Sequence, residues 1–168
     1  MTKWHEMQPA DGTFFQTAPY IYRFPIDLPV PPERVWESLT SERSVAAWGP
    51  GVQSLRWTSP RPFGVGTTRE VVLPLRSITV IEQYFRWDEG KGYSFFVREA
   101  NRAVLRRMAE DYLLEPSASG CRFTWTFAIE PTAKSAPLLR VGDPVNKLAF
   151  GQMARRSKSY FVKHPRRD

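Results

Sequence analysis

At 168 residues, with 42% hydrophobic and 24% charged side chains, the chain has the composition of one folded domain with a real core, not of a disordered segment. A single cysteine, Cys121, excludes an internal disulfide and a cysteine-based metal cluster, and no stretch reaches the ~20 apolar residues that a membrane-crossing helix needs. The formal net charge of +7 belongs entirely to residues 132–168, which hold nine basic and two acidic side chains, while residues 1–131 balance fifteen of each.

Residues 1–19 show no hydrophobic period, contain Pro9, Gly12 and Pro19, and read as a loosely ordered arm. They lack the apolar run of a signal peptide, so the cytoplasm is the expected compartment. From Tyr20 to Leu28 strand formers dominate, and Pro25 within that run marks it as an edge or bulged strand. Pro31-Pro32-Glu33-Arg34 then stops the strand and starts a short helix, with Val35, Trp36 and Leu39 on one side. Ser41 suits the cap of a second short helix ending near Trp48, before Gly49-Pro50-Gly51.

Six further strand-like runs follow, at about 52–58, 67–74, 78–88, 92–99, 106–115 and 121–130. Their spacing leaves no room for crossover helices, so they pair as an antiparallel meander. In the last run Cys121, Phe123, Trp125, Phe127 and Ile129 alternate with Arg122, Thr124, Thr126, Ala128 and Glu130, one face dry and one wet. The terminal helix is expected to start at Asp143 as cap, with Pro144 in its first turn. Ala149, Phe150, Met153, Ala154, Tyr160 and Phe161 form its apolar stripe, and Asn146 and Ser157 fall inside that stripe.

The expected fold is therefore α+β: a curved, seven-stranded antiparallel sheet around a long C-terminal helix, with two short helices between the first two strands. Residues 20–163 make the domain and 164–168 a basic tail. A curved sheet with aromatic walls leaves space beneath the helix, and that space is an apolar pocket.

The order of elements, together with Pro31-Pro32-Glu33-Arg34-Val35-Trp36, the hairpin Phe63-Gly64-Val65-Gly66-Thr67-Thr68, Trp87-Asp88-Glu89-Gly90 and Gly120-Cys121-Arg122-Phe123-Thr124-Trp125-Thr126, resembles the START-like or Bet v 1-like (SRPBCC) superfamily, in its polyketide cyclase/dehydrase and lipid-transport branch. The resemblance spans roughly residues 20–162 and implies the helix-grip fold. Similar proteins include lipid carriers, hormone receptors, cyclases and chaperone partners, and they share no short catalytic signature that transfers to positions here.

His5 and His164 lie near opposite ends, so one cysteine and two such histidines build neither a zinc site nor a Ser-His-Asp triad. Gly64-Val65-Gly66-Thr67-Thr68 lacks the lysine and spacing of a phosphate-binding loop. Neither metal nor cofactor is expected. In the 106–115 strand, Met108, Glu110, Tyr112 and Leu114 share one face, and Ala109, Asp111, Leu113 and Glu115 the other. If the first face turns inward, Glu110 enters an apolar site, where burial raises a carboxyl pKa and suits it to acid/base work on an enolisable ketone, with Tyr112 stabilising an oxyanion. Glu82 is a second such candidate and Glu70 a third. The bland alternative is an ion pair, for which Arg69, Arg86, Arg98, Arg106 and Arg107 are available.

Trp125, Phe123, Phe127, Trp87, Phe85 and Phe95 are expected as core or pocket wall, with Met108, Leu114, Phe150 and Met153 beside them and Asn146 and Ser157 offering polar contacts from the helix. The leading reading is a carrier for a small lipid, isoprenoid or polyketide-like molecule. A metal-free cyclase or dehydratase using Glu110, Tyr112 or Glu82 is the alternative. A third reading gives the basic C-terminal segment an anionic membrane surface to meet, with nucleic acid the less favoured partner.

Overall fold

Prolines and glycines mark the ends of nearly every element. The computed structural model describes residues 3–42, 52–73 and 78–165. In chain order it contains β1 (His5–Glu6), α1 (Phe14–Thr17), β2 (Tyr20–Leu28), α2 (Pro32–Leu39), β3 (Ser54–Trp57), β4 (Thr68–Leu73), β5 (Ile78–Asp88), β6 (Gly92–Ala100), β7 (Leu105–Ser117), β8 (Gly120–Pro131) and α3 (Ala136–Lys163). The second short helix expected near Ser41–Trp48 falls mostly outside the described residues.

Seven strands run in the order β2-β8-β7-β6-β5-β4-β3, all antiparallel, and β1 adds an eighth by pairing with β6. Pro25 is tolerated because β2 is an edge: its one neighbour is β8, with Pro25 opposite Thr124. The β7–β8 hairpin closes at Ser117 and Gly120. Gly120 has φ +133°, and a Cβ there would meet Leu28 O and Val30 N at 2.7 Å, so a side chain is excluded twice over.

Helix α3 begins eight residues earlier than its sequence suggests, at Ala136, and Pro144 lies inside it. Pro137 occupies the first turn instead. Pro144 costs the Arg140 carbonyl its usual N–H partner, but Arg140 is exposed and water can replace that bond. Asp143 is thereby freed from capping and accepts a hydrogen bond from the Tyr22 hydroxyl on β2. The helix packs on β2 and β8: Phe150 stacks on Phe127 at 4.4 Å, and Gly151 lets the Phe24 ring approach its backbone. Ala149, expected in the apolar stripe, is exposed, because the buried face of α3 runs through Gly151, Ala154, Ser157 and Phe161 and Ala149 lies about 140° around the helix from Ala154.

The main core fills the inner face of the sheet beneath α2 and α3. A second, smaller core lies on the opposite face, where Phe14 of α1 and Ala10 cover Phe96, Ala109 and Ala128. Residues 3–18 are thus docked, not loose: Phe14 is fully buried under the Arg107 guanidinium, which sits 4.5 Å from its ring centre. The arm has too few residues to show a period, yet it covers apolar sheet surface that would otherwise face water.

Candidate functional site

Along the inner face the side chains change character from one end of the sheet to the other. At one end aromatic residues pair across neighbouring strands: Tyr84 opposite Phe95, Trp87 opposite Tyr93, Tyr93 opposite Tyr112 and Tyr112 opposite Trp125. At the other end the facing residues are aliphatic, with Val80 opposite Ala100 and Met108 opposite Ile129. Rings reach across the interior and fill it; short aliphatic chains do not.

The aliphatic end accordingly holds an open cavity of about 870 Å³. Strands β4 to β8 supply Leu73, Ile78, Val80, Val97, Ala100, Leu105, Met108 and Ile129. Helix α3 adds Leu139, Asn146 and Phe150, the β6–β7 loop adds Arg102 and Val104, and the N-terminal segment adds Met7. Arg102 and Asn146 are the two polar side chains among these lining residues. The size suits a lipid- or polyketide-sized guest.

Of the residues singled out from the sequence, Met108, Asn146 and Phe150 line this cavity. Phe127 backs it through its stack on Phe150. Trp125, Phe123, Phe95 and Leu114 are buried in the aromatic end, where rings pack at 4.9–6.2 Å, so they are core and not wall. Met153 packs half-buried against the same core. Ser157 is fully buried, does not line the cavity and donates its hydroxyl proton to Ala154 O at 2.6 Å within its own helix.

Phe85 and Trp87 correct the sequence reading together. Strict alternation puts them on one face, but β5 carries a register shift between Tyr84 and Arg86. Phe85 therefore joins the outer core with Phe15 and Phe96, whereas Trp87 turns inward against Trp36 and Tyr93. The Trp87 indole N–H bonds Glu89, which also accepts from Trp36, far along β5 from the cavity.

The carboxylates divide clearly. Glu70 lies on the outer face, 3.5 Å from Arg56. Glu82 faces inward and is buried in an ion pair with Arg69. The Arg69 guanidinium is in turn caged by the rings of Phe95, Tyr84, Trp57 and Tyr93 at 4.8–5.8 Å. Burial pushes the Glu82 pKa up, with the Arg69 charge pulling against it. This pair was available from the sequence, where Arg69 stood among the possible partners.

Glu110 is also buried, at 8% exposure, and it accepts two hydrogen bonds at one oxygen: Tyr112 Oη and Trp125 Nε1 both reach Oε2 at 2.8 Å. Its other oxygen has no hydrogen-bond partner among the described residues. Burial raises its pKa to about 7, helped by the negative charge of Glu82 and opposed by the two donors and Arg69. Glu110 shares a strand face with Met108, two residues along β7 at the cavity. Glu110 itself is not among the residues that line the cavity; it is a buried carboxyl one position along the inner strand face from Met108, which is. Burial holds the Tyr112 hydroxyl well above the usual phenol range, so it stays a donor.

Sequence reasoning missed Met7, Val80, Val97 and Ile129 as wall. The signal was the shift from aromatic to aliphatic along each strand, reversing in direction from one strand to the next. No helix among the described residues is long and apolar enough to cross a membrane.

Residues 22–159 match the family described as polyketide cyclase / dehydrase and lipid transport. An uncharacterized protein of Mycobacterium tuberculosis is 33% identical over 148 residues, 88% of each chain. Among solved structures, a Thermus thermophilus protein superposes with a TM-score of 0.69 at 19% identity, covering 86% of this chain and 98% of its own. The Zhui aromatase/cyclase of a Streptomyces species does so at 0.65 and 12%, covering 85% and 95%. At those identities the structural likeness concerns the helix-grip fold alone.

Proposed function

The chain belongs to the polyketide cyclase / dehydrase and lipid transport family, and on that footing we propose that it takes up a small hydrophobic molecule with one polar end. The cavity of about 870 Å³ carries this reading, since its lining is apolar apart from Arg102 and Asn146. An acyl, isoprenoid or polyketide-like guest would lay its apolar body against Val80, Val97, Met108 and Ile129 and turn an oxygen toward Asn146 or an anionic group toward Arg102. Burying roughly 300 Å² of apolar guest surface is worth about 7 kcal/mol before association costs, enough for micromolar binding without special contacts. Native mass spectrometry of freshly purified protein tests it: an apolar adduct is expected, and it should be absent from Met108→Trp. A protein that neither carries such an adduct nor takes up fatty acid or polyketide probes would end the proposal.

A second reading adds chemistry, and Glu110 is the observation that favours it: a buried carboxyl whose pKa burial raises to about 7, hydrogen-bonded to a tyrosine and two residues along β7 from the wall residue Met108. It would remove or return a proton at a carbon next to a ketone, as a metal-free cyclisation or dehydration requires. Glu110→Gln would then abolish turnover of a poly-β-ketone substrate while sparing its binding. Equal loss of both would return Glu110 to a packing role.

A further inference from the structure

The outer face of α3 carries an exposed aliphatic stripe. Leu138 is 70% exposed, Val141 82%, Val145 68% and Leu148 58%. At 100° per residue these four fall within one 80° sector, away from the buried Ala154, Ser157 and Phe161. Val104, also exposed, sits next to the start of the helix, where Thr132 N donates to its carbonyl at 3.4 Å. Val104 also lines the cavity mouth.

The same face changes chemistry further along. Arg156 and Lys163 lie eighteen residues beyond Leu138 and Val145, five full helical turns at 100° per residue, so they continue the same line, and both are exposed. They belong to the segment that holds the entire +7 of the chain. Water is a poor neighbour for four aliphatic side chains along about three consecutive turns, so the stripe calls for a cover. Aliphatic side chains without aromatic anchors, followed by cations, match a bilayer better than a protein hot spot.

We propose that the outer face of α3 docks on an anionic lipid surface, with Leu138, Val141, Val145 and Leu148 entering the acyl boundary and Arg156 and Lys163 meeting the headgroups. Docking there brings the cavity mouth at Val104 against the bilayer. This goes beyond ligand uptake, and it stands on the surface alone.

The test is co-sedimentation of the full chain with vesicles of phosphatidylcholine, with and without phosphatidylglycerol. Binding is expected with the anionic lipid and should weaken steeply with added salt. Val141→Asp with Val145→Asp should lower the partition about tenfold or more. Arg156→Glu with Lys163→Glu should lower it about fivefold per cation and flatten the salt dependence. All four positions are exposed, so thermal melting should confirm that both variants fold as the parent. No binding, equal binding to neutral vesicles, or full binding by the aspartate variant would each overturn the proposal. A dimer that dissociates in the aspartate variant, without vesicle binding, would overturn it in favour of a second copy as the cover. Uptake of a polyketide or fatty-acid probe without vesicles is read separately, so failure of docking and failure of the cavity reading remain distinct.

Discussion

Trp125 donates its indole N–H to Glu110 across the β7–β8 ladder at 2.8 Å, although its direct partner in register is Tyr112. The bond is therefore diagonal, and it brings the donor to the oxygen that Tyr112 already serves from its own strand. One carboxylate oxygen holds two donors, and a carboxamide oxygen can hold the same two.

That geometry makes Glu110→Gln an informative variant. The Glu110 pKa rises from 4.5 to about 7 on folding, so its contribution to stability is fully present below pH 4.5 and is lost as pH climbs through about 7. Glutamine keeps both hydrogen bonds and cannot ionise. Urea unfolding should give equal stabilities for the two proteins below pH 4.5, and a gap of about 3 kcal/mol in favour of the variant above pH 7. A gap that does not change with pH would show that Glu110 ionises as freely in the folded chain as in the unfolded one.

The neighbouring pair behaves differently because it is charged on both sides. Arg69→Met strands Glu82 in the aromatic interior and should cost about 3–5 kcal/mol, much of it recovered when Glu82→Leu is added. Glu82→Gln removes a negative charge near Glu110 and leaves Arg69 without its counter-charge. Carboxyl NMR titration should then find the Glu110 pKa below its parent value.

Filling and emptying distinguish wall from core. Met108→Trp places a ring into the cavity and should abolish probe uptake while the thermal midpoint stays within a few degrees of the parent. Phe85→Ala should do the reverse, lowering stability by about 1–3 kcal/mol through the outer core and leaving uptake unchanged. If Phe85→Ala impaired uptake instead, the two faces of β5 would not be as separate as the bulge makes them.

Gly92 opens β6 with φ +144°, and a Cβ there would lie 2.0 Å from the Tyr112 carbonyl oxygen. Gly92→Ala should cost at least about 2 kcal/mol in thermal or chemical unfolding. An alanine tolerated without loss would mean that the β6–β7 approach relaxes easily.

Much of the fold was legible in the residues themselves. The Cys121–Ile129 alternation gave β8 and its inner face, Pro25 narrowed β2 to an edge or bulged strand, and Pro31-Pro32 located α2. Other features depended on context that local pattern does not carry. Pro144 has the signature of a helix start, but Ser135 and Pro137 begin the helix earlier. The bulge in β5 rotates Trp87 against Phe85 with no glycine or proline to announce it. The site was half legible: Glu110, Met108, Asn146 and Phe150 were named, while the aromatic residues were left open between core and wall. Which end of a sheet stays open depends on side-chain lengths summed over five strands, and no single strand reveals it.

Met7 joins the cavity wall through backbone bonds that residues of the arm make far downstream: Met7 N to Arg98 O and Gln8 N to Arg106 O, beside the short β1–β6 pairing. During synthesis these residues emerge before β6 and β7 and obtain their partners only once both strands exist. The chamber is therefore sealed late, by a strip just two residues of which are sheet. An affinity tag cut close to His5, or a deletion of the opening residues, would loosen one side of the guest's container while the sheet and its long helix stay intact.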